Sequence, residues 1–232
     1  KQPAMTANTL ARSLGRGDTD LAGLEELIVW AWRSQFVSFV GNLALAFPVA
    51  LLLSWLFLLT AGDLVAPPAK AVSMLQALHP WRSGALVYAG MAGVLLFGAG
   101  LVSGWTDNWV RHRDLPDRIR FHPWLARRLG PSRADALARW LDRNLGALVG
   151  NVFLGFGLGS LGTVGQILGL PLDIRHIAFA SAELGMSLEV LRLDTAPLFT
   201  AQVALGVALI GLVNFVVSFG LSLGLALESR SV

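Results

Sequence analysis

The sequence predicts an all-α integral membrane bundle of four transmembrane helices plus interfacial amphipathic helices. Three observations predict it. Hydrophobic residues make up 54% of the 232-residue chain and charged residues only 14%, against roughly 25% charge in a soluble domain. The mean hydropathy is +0.61. Four runs, 36–61, 84–104, 146–170 and 198–227, contain no Asp, Glu, Lys, Arg or His. Each exceeds the roughly 20 residues needed to cross a hydrocarbon core. A buried helix of a soluble protein normally keeps a polar face, and these runs have none.

Taken in order, the segment 1–35 reads as an N-terminal cytoplasmic or interfacial piece. Residues 36–104 form a first two-span unit, 105–145 an arginine-rich cytoplasmic loop, 146–227 a second two-span unit, and 228–232 a cytoplasmic tail. The loop carries Arg111, Arg113, Arg118, Arg120, Arg127, Arg128, Arg133, Arg139 and Arg143. The connection between the first two runs has only Lys70 and Arg82, and that between the last two only Arg175 and Arg192. Positive charge stays on the cytoplasmic side, which predicts an N-in/C-in, multi-pass protein of a bacterial inner membrane. Trp30, Trp32, Trp81, Trp105 and Trp109 lie near run ends, where interfacial tryptophans are expected. The chain opens on Lys1 rather than methionine, so a piece of a longer protein is expected.

The motif V-G-N-x-x-L-x-F occurs twice, beginning at Val40 and at Val149. Each copy is preceded by a Trp-containing segment that reads as an interfacial helix. Each continues as a span, an amphipathic segment and a second span. We read this as a parallel duplication of a two-span unit; chance similarity between glycine-rich stretches is the alternative. The amphipathic segments are 69–78 and 174–193. The second is expected as a helix lying along the outer surface, with Asp173 near its start, where a carboxylate complements the helix dipole. Arg175 and His176 are expected to point between the two units. A re-entrant or spanning course for 174–193 stays open.

The chain has no cysteine, which excludes thiolate catalysis and Cys-ligated metal sites. His79, His112, His122 and His176 are scattered without HxxxH or HExxH spacing, and no phosphate loop or G-x-S-x-G elbow occurs. No metal, no cofactor and no catalytic residue is expected. The candidates for a ligand site or polar network are Asn42, Asn151, Asp107, Asn108, Asp173, Arg175 and His176. Asn42 and Asn151 hold equivalent places in the two units, where amides bond across helices or hold a solute. Asp107 and Asn108 belong to the cluster Trp105-Thr106-Asp107-Asn108-Trp109, facing the arginines. Asp173, Arg175 and His176 stand within one turn's length and suit an anion or a proton relay, with a local ion pair as the plainer reading. Gly100-x-x-x-Gly104, Gly155-x-x-x-Gly159, Gly165-x-x-x-Gly169 and Gly220-x-x-x-Gly224 suit close packing of helices, within one bundle in the plainer reading or between copies.

The run PPAKAVSMLQALHPWRSG, the GWTDNW cluster, the LPDRIRFHPWLARRLG stretch and the VGN…GLPLDIRHIAFASAELG segment resemble the bacterial site-specific recombinase transmembrane family. The resemblance runs from about residue 36 to 191. It implies an inner-membrane protein of which this chain is the C-terminal membrane portion, following a further helical region. On the residues themselves, a tyrosine nucleophile would have to be Tyr88, which stands alone inside the second run. This portion therefore reads as an anchor if DNA is processed, and nucleic acid is not expected as its partner. Membrane lipids are, together with a homo-oligomer or a larger membrane complex.

The function expected is that of a non-enzymatic polytopic membrane protein, transporter- or channel-like or a structural subunit of an assembly. Two alternatives are kept: an embedded enzyme acting on a lipid or envelope precursor, and the membrane anchor of a DNA-processing protein.

Overall fold

The computed structural model describes residues 21–170 and 173–228, and every regular element in them is a helix. In chain order they are α1 (Leu21–Ala61), α2 (Pro68–Ala77), α3 (Ala85–His112), α4 (Leu115–Arg120), α5 (Pro123–Leu129), α6 (Pro131–Leu168), α7 (Ile177–Val190) and α8 (Pro197–Glu228). The expected pieces at 1–20, 171–172 and 229–232 lie outside the described residues. Four helices are long and apolar enough to cross a membrane, with spans at Val40–Ala61, Ala85–His112, Pro131–Leu168 and Pro197–Leu225. The protein is an all-helical membrane protein.

Local chemistry sets the helix ends. Proline occupies the first turn of α2, α4, α5 and α6, where its missing N–H costs nothing and its fixed φ suits a helix. Gly169 closes α6 in the left-handed region (φ 65°) while the Leu170 N–H reaches back to the Gly165 carbonyl at 2.8 Å. The Leu193 N–H likewise bonds the Leu188 carbonyl at 2.8 Å, but here Arg192 and Leu193 themselves take the left-handed conformation.

The spans run further than their apolar stretches. Residues 105–112 continue α3, and 131–145 form the first turns of α6. The Trp-containing stretches before each V-G-N motif were expected as separate interfacial helices. Each is instead continuous with its span, because no proline or glycine cap intervenes to stop propagation. The arginine-rich loop is thus mostly helix. α4 and α5 pack on the protruding start of α6, around the fully buried Val110, Ala134 and Ala138. Arg120 ties Asp117 (3.1 Å) to Asp135 (2.7 Å), and Arg139 also pairs with Asp135.

α3 is central, packing on α6 to one side and α8 to the other. α7 fills the space among α1, α2 and α8. Only 6% of the apolar window of α1 and 11% of that of α6 is buried, against 33% for α3 and 39% for α8, so α1 and α6 are the peripheral spans. The main core is built by Leu75, Leu78, Ala85, Ala89, Ala180, Leu184, Leu188, Val203, Val207 and Ile210, from α2, α3, α7 and α8.

Close approach comes from single glycines more than from the paired motifs. A methyl group at Gly93 would sit 2.7 Å from Val217 Cβ, and one at Gly150 2.8 Å from the Ala99 carbonyl oxygen. Gly146 makes room for the Asp107 carboxylate, Gly206 for the Leu78 carbonyl and Gly185 for the Phe47 carbonyl. Gly100 and Gly104 lie on the buried face of α3. Among the described residues nothing approaches Gly155, Gly159, Gly220 or Gly224, so those two pairs do not pack there as expected.

Candidate functional site

The expected surface helix begins three residues later than position 174 and does not lie on the surface. Nine of its fourteen residues are buried: Ile177, Ala180, Ser181, Leu184, Gly185, Ser187, Leu188, Glu189 and Val190. A helix resting on a surface buries one stripe. Here the stripe 177, 180, 181, 184, 185, 188 is joined by the whole last turn. The start of α7 is fixed by Asn214, whose Oδ1 accepts the Ile177 N–H at 3.0 Å. Asn214 lies 17 residues beyond Pro197 (214 − 197), roughly 26 Å along α8 at 1.5 Å per residue. α7 therefore starts past the middle of α8.

Three hydrogen bonds explain why residues 173–176 stay out of the helix. Besides Ile177, Asn214 serves two carbonyls through Nδ2, that of Ala89 on α3 at 2.8 Å and that of Arg175 at 3.0 Å. The Arg175 N–H points to the Tyr88 carbonyl at 3.5 Å. Buried backbone groups require partners, and this amide supplies them where a helix would otherwise have to start earlier. Asn214 is 3% exposed.

The charges gather on this frame. Arg175 donates from Nη2 to Asp173 Oδ2 at 2.5 Å and from Nη1 to Glu183 Oε2 at 2.7 Å. The Arg175 side chain is 14% exposed, Glu183 27% and Asp173 45%. Arg175 Nε is buried without a partner among the described residues. Burial pushes the Glu183 carboxyl above its ordinary range. The charge of Asp173 adds to that rise, while Arg175 and Lys70 oppose it. His176 caps α7, its Nδ1 accepting the Ala178 N–H at 3.3 Å. Burial lowers its pKa to about 4, so at neutral pH the ring is uncharged with its proton on Nε2.

Of the expected candidates, Asp173 and Arg175 come together as an ion pair, while His176 caps α7 beside them in sequence. The backbone of Arg175 lies between α3 and α8, while its side chain turns back along α7 to Glu183. Asp107 is half-buried against Gly146, and among the described residues no arginine comes within ion-pair distance of it. Asn108 is exposed at the arginine-rich end of α3. Asn42 is half-buried on α1 and Asn151 exposed on α6, helices that pack on α7 and α3 respectively. Among the described residues no group of His, Asp and Glu is arranged to hold a metal.

Sequence reading passed over Glu183 and Asn214 as site residues. The signal for Asn214 was an amide isolated in a charge-free span. Nothing in the spacing marked Glu183, because its partner Arg175 precedes the helix. A second polar knot was also missed. His79, 2% exposed, accepts the Trp81 and Arg82 N–H groups on Nδ1, both at 3.2 Å. That leaves Nε2 to donate to Gln202 Oε1 at 3.2 Å, joining the end of α2 to α8.

Four long apolar helices, two of them (α1 and α8) packed on the short charge-bearing α7, define the class, a multi-pass membrane protein with ionisable groups buried against its spans. The chain belongs to the site-specific recombinase family, whose model matches residues 1–232. No curated protein and no solved structure matches it.

Proposed function

We propose that this chain is a non-enzymatic, carrier-like membrane protein that binds a charged small solute at the Asp173–Arg175–Glu183 cluster. One observation carries the reading: a guanidinium held between two carboxylates at the start of a helix embedded among apolar spans. Ionisable groups in such surroundings are costly and mark solute or proton pathways. Broken helices whose ends face a charged ligand are a recurrent carrier design. The non-helical 173–176 segment running into α7 has that form.

The same reading sets the arginine-rich end in the cytoplasm of a bacterial inner membrane, with both chain ends on that side. The bias of nine arginines to one connection supports this. Single cysteines at Ser132 and Ser83 should then label from opposite sides; labelling of both from the periplasm would refute the orientation. The repeated V-G-N motif and the matching order of span, short helix and span support the parallel duplication. The exposed apolar faces of α1 and α6 support contact with lipid or with further copies.

The test of the solute site is thermal unfolding of the purified chain in neutral detergent against a panel of charged small molecules. At least one should raise the unfolding temperature of the wild type and leave Arg175→Gln unmoved. A panel without effect, or equal shifts in both proteins, would contradict the reading.

A further inference from the structure

The Arg175 guanidinium is only partly used. Its Nη1 is taken by Glu183 and its Nη2 by Asp173, while Nε is buried with no hydrogen-bond partner among the described residues. Nε and Nη2 form the side edge of the guanidinium, the edge whose two parallel N–H bonds match the two oxygens of a carboxylate or phosphate. Asp173 occupies half of that edge through one oxygen, Oδ2. Its other oxygen accepts the Ile174 N–H at 2.8 Å. Of the three charged side chains Asp173 is the most exposed, so it can leave for water at least cost.

We propose that Arg175 binds a small oxyanion, a carboxylate or a phosphate, across its Nε–Nη2 edge in exchange for Asp173. This rests on the reading of the cluster as a solute site and names the ligand class. Asp173 is then an internal stand-in for the ligand, holding the edge until an oxyanion with two free oxygens displaces it. Glu183 stays on Nη1 and keeps the guanidinium oriented. The exchange replaces one negative group by another on Arg175, so the buried charge need not change. The charged groups facing Glu183 are Arg175, Asp173 and, from α2, Lys70. α1 contributes no charged residue between positions 34 and 62, and α8 none between 197 and 227.

The oxyanion can be a free solute or the phosphate of a lipid. Inorganic phosphate titrated into the full chain in neutral detergent probes the first. Phosphatidylglycerol against phosphatidylcholine in nanodiscs probes the second. Binding of either phosphate should tighten about tenfold in Asp173→Asn, which frees the edge of its competitor. It should be lost in Arg175→Gln and weakened in Arg175→Lys, which keeps the charge but not the fork. Binding of phosphate alone assigns a free solute, and binding of phosphatidylglycerol alone a lipid. Unchanged or weaker binding in Asp173→Asn, or no binding of either probe, overturns the proposal. The broader carrier reading stands apart from that outcome if a cationic solute still shifts unfolding through the Asp173 and Glu183 carboxylates.

Discussion

At the scale of single residues the account turns on what burial does to charge. His176 is held uncharged. Its folded pKa of about 4 lies below the ordinary 6.5, so the folded chain holds that proton less tightly than the unfolded chain. The stability this confers is complete above about pH 6.5 and is lost as pH falls toward 4. A shift of this size is worth roughly 3 kcal/mol at most, at 1.36 kcal/mol per unit. Thermal unfolding in detergent should therefore show a loss between pH 6.5 and 4 that His176→Asn abolishes, since asparagine can still accept at the cap. A wild-type profile flat over that range would contradict the burial of the ring. Glu183 works in the opposite sense. Its raised pKa favours the folded state at low pH, and that contribution disappears as pH rises through the folded value. The candidates Asp173, Arg175 and His176 were legible as a cluster because they are neighbours in sequence. Glu183 and Asn214 were not, because a contact across eight residues or between helices leaves no local periodic signal.

At the scale of elements, the spans were legible because a charge-free run of that length has few other homes. Their continuations were not. Composition marks where a helix leaves the hydrocarbon, whereas only a cap or a proline marks where it stops, and none follows Gly104 before His112. The second amphipathic segment was legible as a helix and misread in depth. Its apolar stripe 177, 180, 184 and 188 is the same whether the helix rests on a membrane surface or lies inside a bundle. Gly185 distinguishes the two, since its missing side chain lets α7 touch the backbone of α1 at Phe47 and Leu51. Gly185→Ala should cost about 1–3 kcal/mol by overpacking. Gly155→Ala, at a site open on all sides, should stay within about 0.5 kcal/mol of wild type or gain slightly in helix propensity. Chemical unfolding of the two variants side by side checks this. Equal costs would mean that α7 does not press on α1.

At the scale of the whole molecule, α7 holds the arrangement together. Through α7 the peripheral span α1 reaches the core, since α1 meets α8 only sparingly and α6 packs on α3. It also brings the charged cluster inside, because residues 173–176 must descend along α3 and α8 before α7 can begin at Asn214. The central claim is therefore one of depth: the start of α7 lies within the span layer rather than on its surface. Phe179, in the first turn of α7, is 51% exposed and reports that depth directly. The chain has no cysteine, so a nitroxide can be placed at Phe179→Cys alone in the protein reconstituted into vesicles. Power-saturation resonance should find the label more accessible to oxygen than to a water-soluble nickel chelate. Greater accessibility to the nickel chelate would put α7 on the surface and contradict the account.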